Sequence, residues 1–98
     1  MVEKYDYPNK VGNIDIYPEI HQGNIVTISI VGDPIGLKYL AELLNYVADF
    51  NQEKSKEPYG SREHIHLHPN EQLGKHSCEV EICRADAKGS SELLEFMK

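Results

Sequence analysis

The junction Gly32-Asp33-Pro34 constrains this chain more than any other stretch, because it closes a β-branched run and opens a helix within three positions. Gly32 permits a sharp exit from a strand, Asp33 can accept hydrogen bonds from the free N–H groups of a first helical turn, and Pro34 needs no N–H there. Upstream, Ile25 to Val31 is β-branched almost throughout, with Val26, Ile28 and Ile30 on one side and Thr27 and Ser29 on the other. Asn13 to Tyr17 also alternates, Ile14 and Ile16 against Asp15 and Tyr17, and Pro18 is expected to border that strand. Between the two runs, His21-Gln22-Gly23-Asn24 supplies turn chemistry, so a hairpin is predicted ahead of the helix.

Downstream, the helix is predicted from about Pro34 to Phe50. Leu37, Leu40, Ala41, Leu44, Val47 and Ala48 recur at three-and-four spacing and form a stripe that can cover a sheet. A second stripe, Tyr39, Leu43, Tyr46 and Phe50, adjoins it and widens the apolar arc beyond what one-sided packing requires. That stripe fits either side chains draped beside the core or the interface of a two-fold homodimer.

After the helix comes a polar, charged loop, Asn51 to Glu63, long for a connector and therefore a candidate contact loop, in which Tyr59 and Arg62 are candidate contacts. Glu63 to His68 reads as a third strand, Ile65 and Leu67 on one face and His64, His66 and His68 on the other. Ser77 to Arg84 reads as a fourth, with Cys78, Val80 and Ile82 inward and Glu79, Glu81 and Cys83 outward. The tail can form one or two helical turns from Ser90 or Ser91, in which Leu93, Leu94, Phe96 and Met97 seek cover. The expected fold is α+β: a two-layer ββαββ domain with a four-stranded, mainly antiparallel sheet, one long helix on one face and a short C-terminal helix. With the fourth strand inserted between the second and third, every neighbour is antiparallel and the order is 1-2-4-3 with the usual right-handed crossover; the order 1-2-3-4 would contain one parallel pair. One domain is expected over residues 1–98, with an arm at 1–12, the core at 13–84 and a tail at 85–98. The sheet face away from the helix stays open and offers a second surface for dimerisation.

Charge narrows the function classes. Sixteen Asp and Glu against ten Lys and Arg give a net charge of −6, which disfavours a nucleic-acid binder and suits a basic partner. Lys54, Lys56 and Arg62 are interleaved with Glu53, Glu57 and Glu63, which cancel them. The two cysteines, Cys78 and Cys83, stand five apart on one expected strand, too far along it to bridge, and read as reduced thiols of a cytoplasmic protein. MVEKYDYPNK lacks the apolar stretch of a signal peptide, and no run of about 20 apolar residues is available to cross a bilayer.

The open face carries the one cluster with chemical potential. His64, His66 and His68 stand roughly 7 Å apart along one side of a strand, and two such residues with Glu79 or Glu81 from a paired strand can hold a metal ion. Strand alternation alone produces the same spacing, so histidines pairing with the acidic strand are the competing reading. Catalytic templates fit worse: the serines lack a Gly-x-Ser-x-Gly setting, Gly-Asp-Pro-Ile-Gly lacks the lysine of a phosphate loop, and Asp33 is explained as a cap. No enzyme activity and no cofactor are expected.

Ile28-Ser29-Ile30-Val31-Gly32-Asp33-Pro34-Ile35-Gly36-Leu37, then Tyr39-Leu40-Ala41-Glu42-Leu43-Leu44, then His64-Ile65-His66-Leu67 and Ser77-Cys78-Glu79-Val80-Glu81-Ile82 occur in an order that resembles a family of small bacterial immunity proteins. That family is the thirty-second numbered one among the predicted immunity proteins of polymorphic toxin systems, and the resemblance spans roughly residues 24 to 84. It implies a non-catalytic cytoplasmic protein that neutralises a cognate toxin by binding it. The candidate binding residues are His64, His66, His68, Glu79, Glu81, Tyr59 and Arg62. His68 has no match in the family pattern, and the arm and tail lie outside it. The alternative from a different class is a small metal-binding protein using His64, His66 and His68.

Overall fold

A computed structural model describes residues 11–98. The arm expected at 1–12 falls, up to residue 10, outside the described residues. Strand β1 (Ile14–His21) pairs antiparallel with β2 (Asn24–Gly32), helix α1 (Pro34–Asp49) follows at once, and β3 (His64–Leu67) pairs antiparallel with β4 (Val80–Cys83). Short 3-10 turns occupy Gln52–Lys54 and Glu95–Met97.

The hairpin turn is tighter than its sequence required. His21 pairs with Asn24, and Gln22 and Gly23 both take positive φ, 51° and 81°, as a two-residue type I′ turn demands. Pro18 does not end β1; it sits inside the strand opposite Ile28. Backbone groups of Ile14 and Ile16 bond away from β2: their carbonyls accept from Gly74 N–H at 2.8 Å and Cys78 N–H at 2.9 Å. Pro18 shares their orientation, so its missing N–H costs the β1–β2 ladder nothing.

α1 begins as its sequence dictates. The Asp33 carboxylate accepts from Gly36 N–H at 2.7 Å, from Asn13 N–H at 3.2 Å and from Asn13 Nδ2 at 2.9 Å, tying the helix start to the start of β1. Gly36 is buried there, and a Cβ on it would overlap the Asn13 carbonyl.

The expected four-stranded sheet is not formed; two two-stranded sheets are. The fourth strand, expected from Ser77, starts only at Val80, because Gly74–Cys78 is held along the free edge of β1. Ser77 is the peg: its hydroxyl accepts from Ile16 N–H at 3.0 Å and lies 2.8 Å from the Ile16 carbonyl. β2 therefore lies at an edge, not in the middle as the order 1-2-4-3 would place it.

Edge placement changes what is buried. The core gathers Ile14, Ile16, Tyr39, Leu43, Val47, Ile65, Leu67 and Leu73, while Val26, Ile28 and Ile30 of β2 are exposed. The core draws on both helix stripes: Val47 of the expected core stripe is buried and Leu40 packs against the core, Tyr39 and Leu43 of the second stripe are fully buried, and Leu37 and Leu44, expected inside, are 44% and 47% exposed. A dimer interface through Tyr39 and Leu43 is thereby ruled out, and Tyr46 packs against the core. Cys78, expected inward, is exposed, as is Cys83; both are free thiols. In the tail, the helix expected from Ser90 shrinks to the turn Glu95–Met97, and Phe96 finds no cover at 84% exposure.

Candidate functional site

β3 and β4 build a small polar face from strand alternation alone. Ile65 and Leu67 turn into the core, which leaves His64, His66 and His68 half-exposed on the other side. His66 lies opposite Glu81 and His64 opposite Cys83. The imidazoles line up, His64 edge-on to His66 at 5.3 Å between ring centroids and His66 stacked on His68 at 6.3 Å. Glu79 Oε2 lies 3.3 Å from His66 Nδ1 and 3.6 Å from His68 Nδ1, and Glu81 Oε2 lies 3.8 Å from His66 Nε2.

Within this row, His64, His66 and Glu81 bring one ligand atom each to within 4.8 Å of one another. His64 Nδ1 is 3.1 Å from the Arg62 carbonyl, so it carries the proton and leaves Nε2 as a lone-pair donor. His66 Nδ1 lies 3.3 Å from Glu79 Oε2, and its Nε2 lies beside Glu81. An outer partner such as the Arg62 carbonyl fixes the tautomer a metal ion needs. His68, a member of the expected histidine trio, does not join this set; Glu81 completes it.

The loop from 51 to 63 is organised by a segment that the sequence did not single out. Arg84 Nη1 donates to the carbonyls of Val47 at 3.0 Å, Ala48 at 3.3 Å and Phe50 at 2.9 Å, capping the end of α1. Its Nε and Nη2 donate to Asp86 at 2.8 and 2.7 Å, which holds that carboxyl below its ordinary range. Buried Gln52 donates to the Asp86 backbone and side chain and accepts from Glu63 N–H at 2.7 Å. Lys88 Nζ donates to the carbonyls of Ser55 and Glu57 at 2.6 and 2.7 Å and stands 5.3 Å from the Tyr59 ring centroid. Arg62 Nε donates to the Ala85 carbonyl at 3.0 Å, so this side chain supports the loop. Tyr59 is 80% exposed. Phe50, Gln52, Arg62, Glu63 and His64 line a cleft of about 230 Å³ that joins the loop to the histidine row. The structure thus brings His64, His66, His68, Glu79 and Glu81 together and sets Arg62 and the cleft alongside.

The β2, α1, β3 and β4 elements that build this arrangement all fall within residues 27–85, apart from the first turn of β2, and over those residues the chain matches the family model Immunity protein 32. The chain belongs to the Immunity protein 32 family. The match takes in the Gly32-Asp33 cap, the histidine strand and the Glu79 to Glu81 strand, which carried the resemblance in sequence. No curated protein and no solved structure matches the chain. Arg84 lies within the matched residues as well, and its role could have been anticipated only from its position after a strand that returns to the end of α1. Among the described residues no helix is long and apolar enough to cross a membrane.

Proposed function

We propose that this immunity-family protein neutralises a cognate bacterial toxin by binding it directly, without catalysis, in the cytoplasm. The family match over residues 27–85 carries this reading. The surface we assign to the toxin is the row His64, His66, His68, Glu79 and Glu81, extended by Tyr59 and the rim of the cleft beside Arg62. Tyr59, 80% exposed, offers an aromatic anchor, the Glu79 and Glu81 carboxylates offer acceptors, and the net charge of −6 steers a basic partner toward the chain. Titration of the purified chain into its cognate toxin tests the reading. Tyr59→Ala and the double variant Glu79→Gln/Glu81→Gln should each weaken binding by about tenfold or more. Equal affinity for all three proteins would move the contact surface elsewhere.

The hydrogen bond that sets the His64 tautomer and the closeness of one ligand atom each from His64, His66 and Glu81 favour a second reading, a divalent metal site of two imidazoles and the Glu81 carboxylate, suited to zinc. Calorimetric titration of untagged protein with Zn²⁺ checks it. One equivalent should bind, and His66→Ala or Glu81→Gln should abolish binding; absence of a binding isotherm for the unaltered chain contradicts it.

A further inference from the structure

β2 reads NIVTISIVG, nine residues without a single charge in a chain where 27% of residues are charged. Its outer edge pairs with no strand among the described residues. A long, apolar, uncharged free edge invites strand addition, and soluble proteins normally interrupt such edges with lysine, proline or a covering element. Here the only irregularity is the register shift near the hairpin tip, between Glu19 and Ile20.

Geometry specifies what the edge can accept. Ile14 and Ile16 direct their backbone groups away from β2, so Ile30, opposite Ile16, and Ile28, opposite Pro18, direct theirs away from β1, onto the free edge. Their side chains stand on the face shared with Ile16, which is the face that α1 covers through Tyr39 and Leu43. On the helix that covers this face, Leu37 and Leu44 stand beside the buried arc of Tyr39, Leu43 and Val47, on the flank opposite Tyr46, and remain 44% and 47% exposed.

We propose that β2 pairs antiparallel with β2 of a second copy of this chain, in a register centred on Ser29, to give a continuous four-stranded sheet β1-β2-β2-β1. A two-fold axis through the Ser29 pair, perpendicular to the sheet, lets Ile28 of each copy exchange backbone hydrogen bonds with Ile30 of the other. The same axis keeps both helices on one side of the sheet, where the Leu37 and Leu44 flanks meet over Ile28 and Ile30. Four side chains, Ile28, Ile30, Leu37 and Leu44, are each about half exposed, and at on the order of 100 Å² apiece they offer roughly 400 Å² per copy, half of the ~800 Å² that each partner gives to a standard interface, to which the paired strand edges add. A second copy is favoured over an unlike partner because one strand and one helix flank supply both halves of the contact, and because β2 itself carries no charged residue; the neighbouring Glu19 carboxylate accepts from the Ser29 hydroxyl on the face away from Ile28 and Ile30.

Sedimentation and light scattering of the full chain decide this. At concentrations up to about 100 µM the unaltered protein should give twice the 11.2 kDa chain mass. Ile28→Glu and, independently, Leu44→Glu alter exposed side chains, so each should keep the far-UV circular dichroism of the parent while falling to the single-chain mass. Ser29→Cys, made with Cys78 and Cys83 replaced by Ser, should form an intermolecular disulfide on mild oxidation. A single-chain mass for the unaltered protein over that range, or a dimer that Ile28→Glu and Leu44→Glu leave intact, overturns the proposal. The measurement uses no toxin, so its outcome stands apart from the toxin-binding reading.

Discussion

At the scale of single residues, two side chains hold the ends of α1, and each makes a distinct prediction. Asp33 sits at the N-terminus, where Gly36 N–H, then the Asn13 side chain and N–H, hold its carboxyl below the ordinary aspartate range. A carboxyl that ionises more readily folded than unfolded stabilises fully above its unfolded pKa, and the contribution fades as pH falls through the lower folded value. Asp33→Ala should therefore lower the denaturation midpoint at neutral pH, and the gap to the parent should narrow as acidification carries the pH through the lowered range of the folded carboxyl. Arg84 holds the other end, with three helix carbonyls and Asp86 on one guanidinium. Arg84→Met keeps much of the volume and removes every one of those donors, so it should cost about 1–3 kcal/mol in urea unfolding and speed hydrogen exchange in the last turn of α1. Asp33 was legible in sequence because a cap acts on its own neighbours. Arg84 was not, since the carbonyls it serves lie 34 to 37 positions away.

Elements show where periodicity informs and where it stops. Strand and helix existence followed from spacing, and so did the histidine face of β3, because alternation is a local property of backbone geometry. Which helical stripe faces the core is a tertiary matter: both stripes have the right period, and the sheet's arrangement selects Tyr39, Leu43 and Val47. β2 illustrates the same limit. Its alternation promised a buried face, but Ser77 draws the chain along β1 instead and leaves β2 at the edge. The site's residues were likewise readable as neighbours on a strand, two histidines with Glu79 or Glu81 among them, while the choice of His64, His66 and Glu81 depended on cross-strand register. The stripe assignment is checked by paired truncations: Leu43→Ala should cost about 2–5 kcal/mol, whereas Leu44→Ala should cost less than about 1 kcal/mol. Equal losses would contradict the packing described. Gly36→Ala adds a methyl group against the Asn13 carbonyl and should destabilise by about 1–3 kcal/mol, again read by denaturant unfolding.

For the whole molecule, the two surfaces divide by chemistry. One surface presents imidazoles, carboxylates and a small cleft, next to a loop braced by Arg84, Asp86 and Lys88; another presents the uncharged strand β2 and the exposed leucines of α1. A protein that must engage a toxin quickly gains from placing its charged surface apart from the apolar one, because steering acts on charge and self-association on buried area. Immunity by direct binding makes one demand that every other reading lacks: protection and complex formation must fail together. The decisive measurement is co-expression of the cognate toxin with this chain and its Tyr59→Ala and Glu79→Gln/Glu81→Gln variants, scoring growth and, from the same cells, the mass of the toxin-bound complex. Rescue by the parent with a stoichiometric complex, and parallel loss of both in the variants, is the predicted result; rescue of growth with no complex between the two proteins would contradict it.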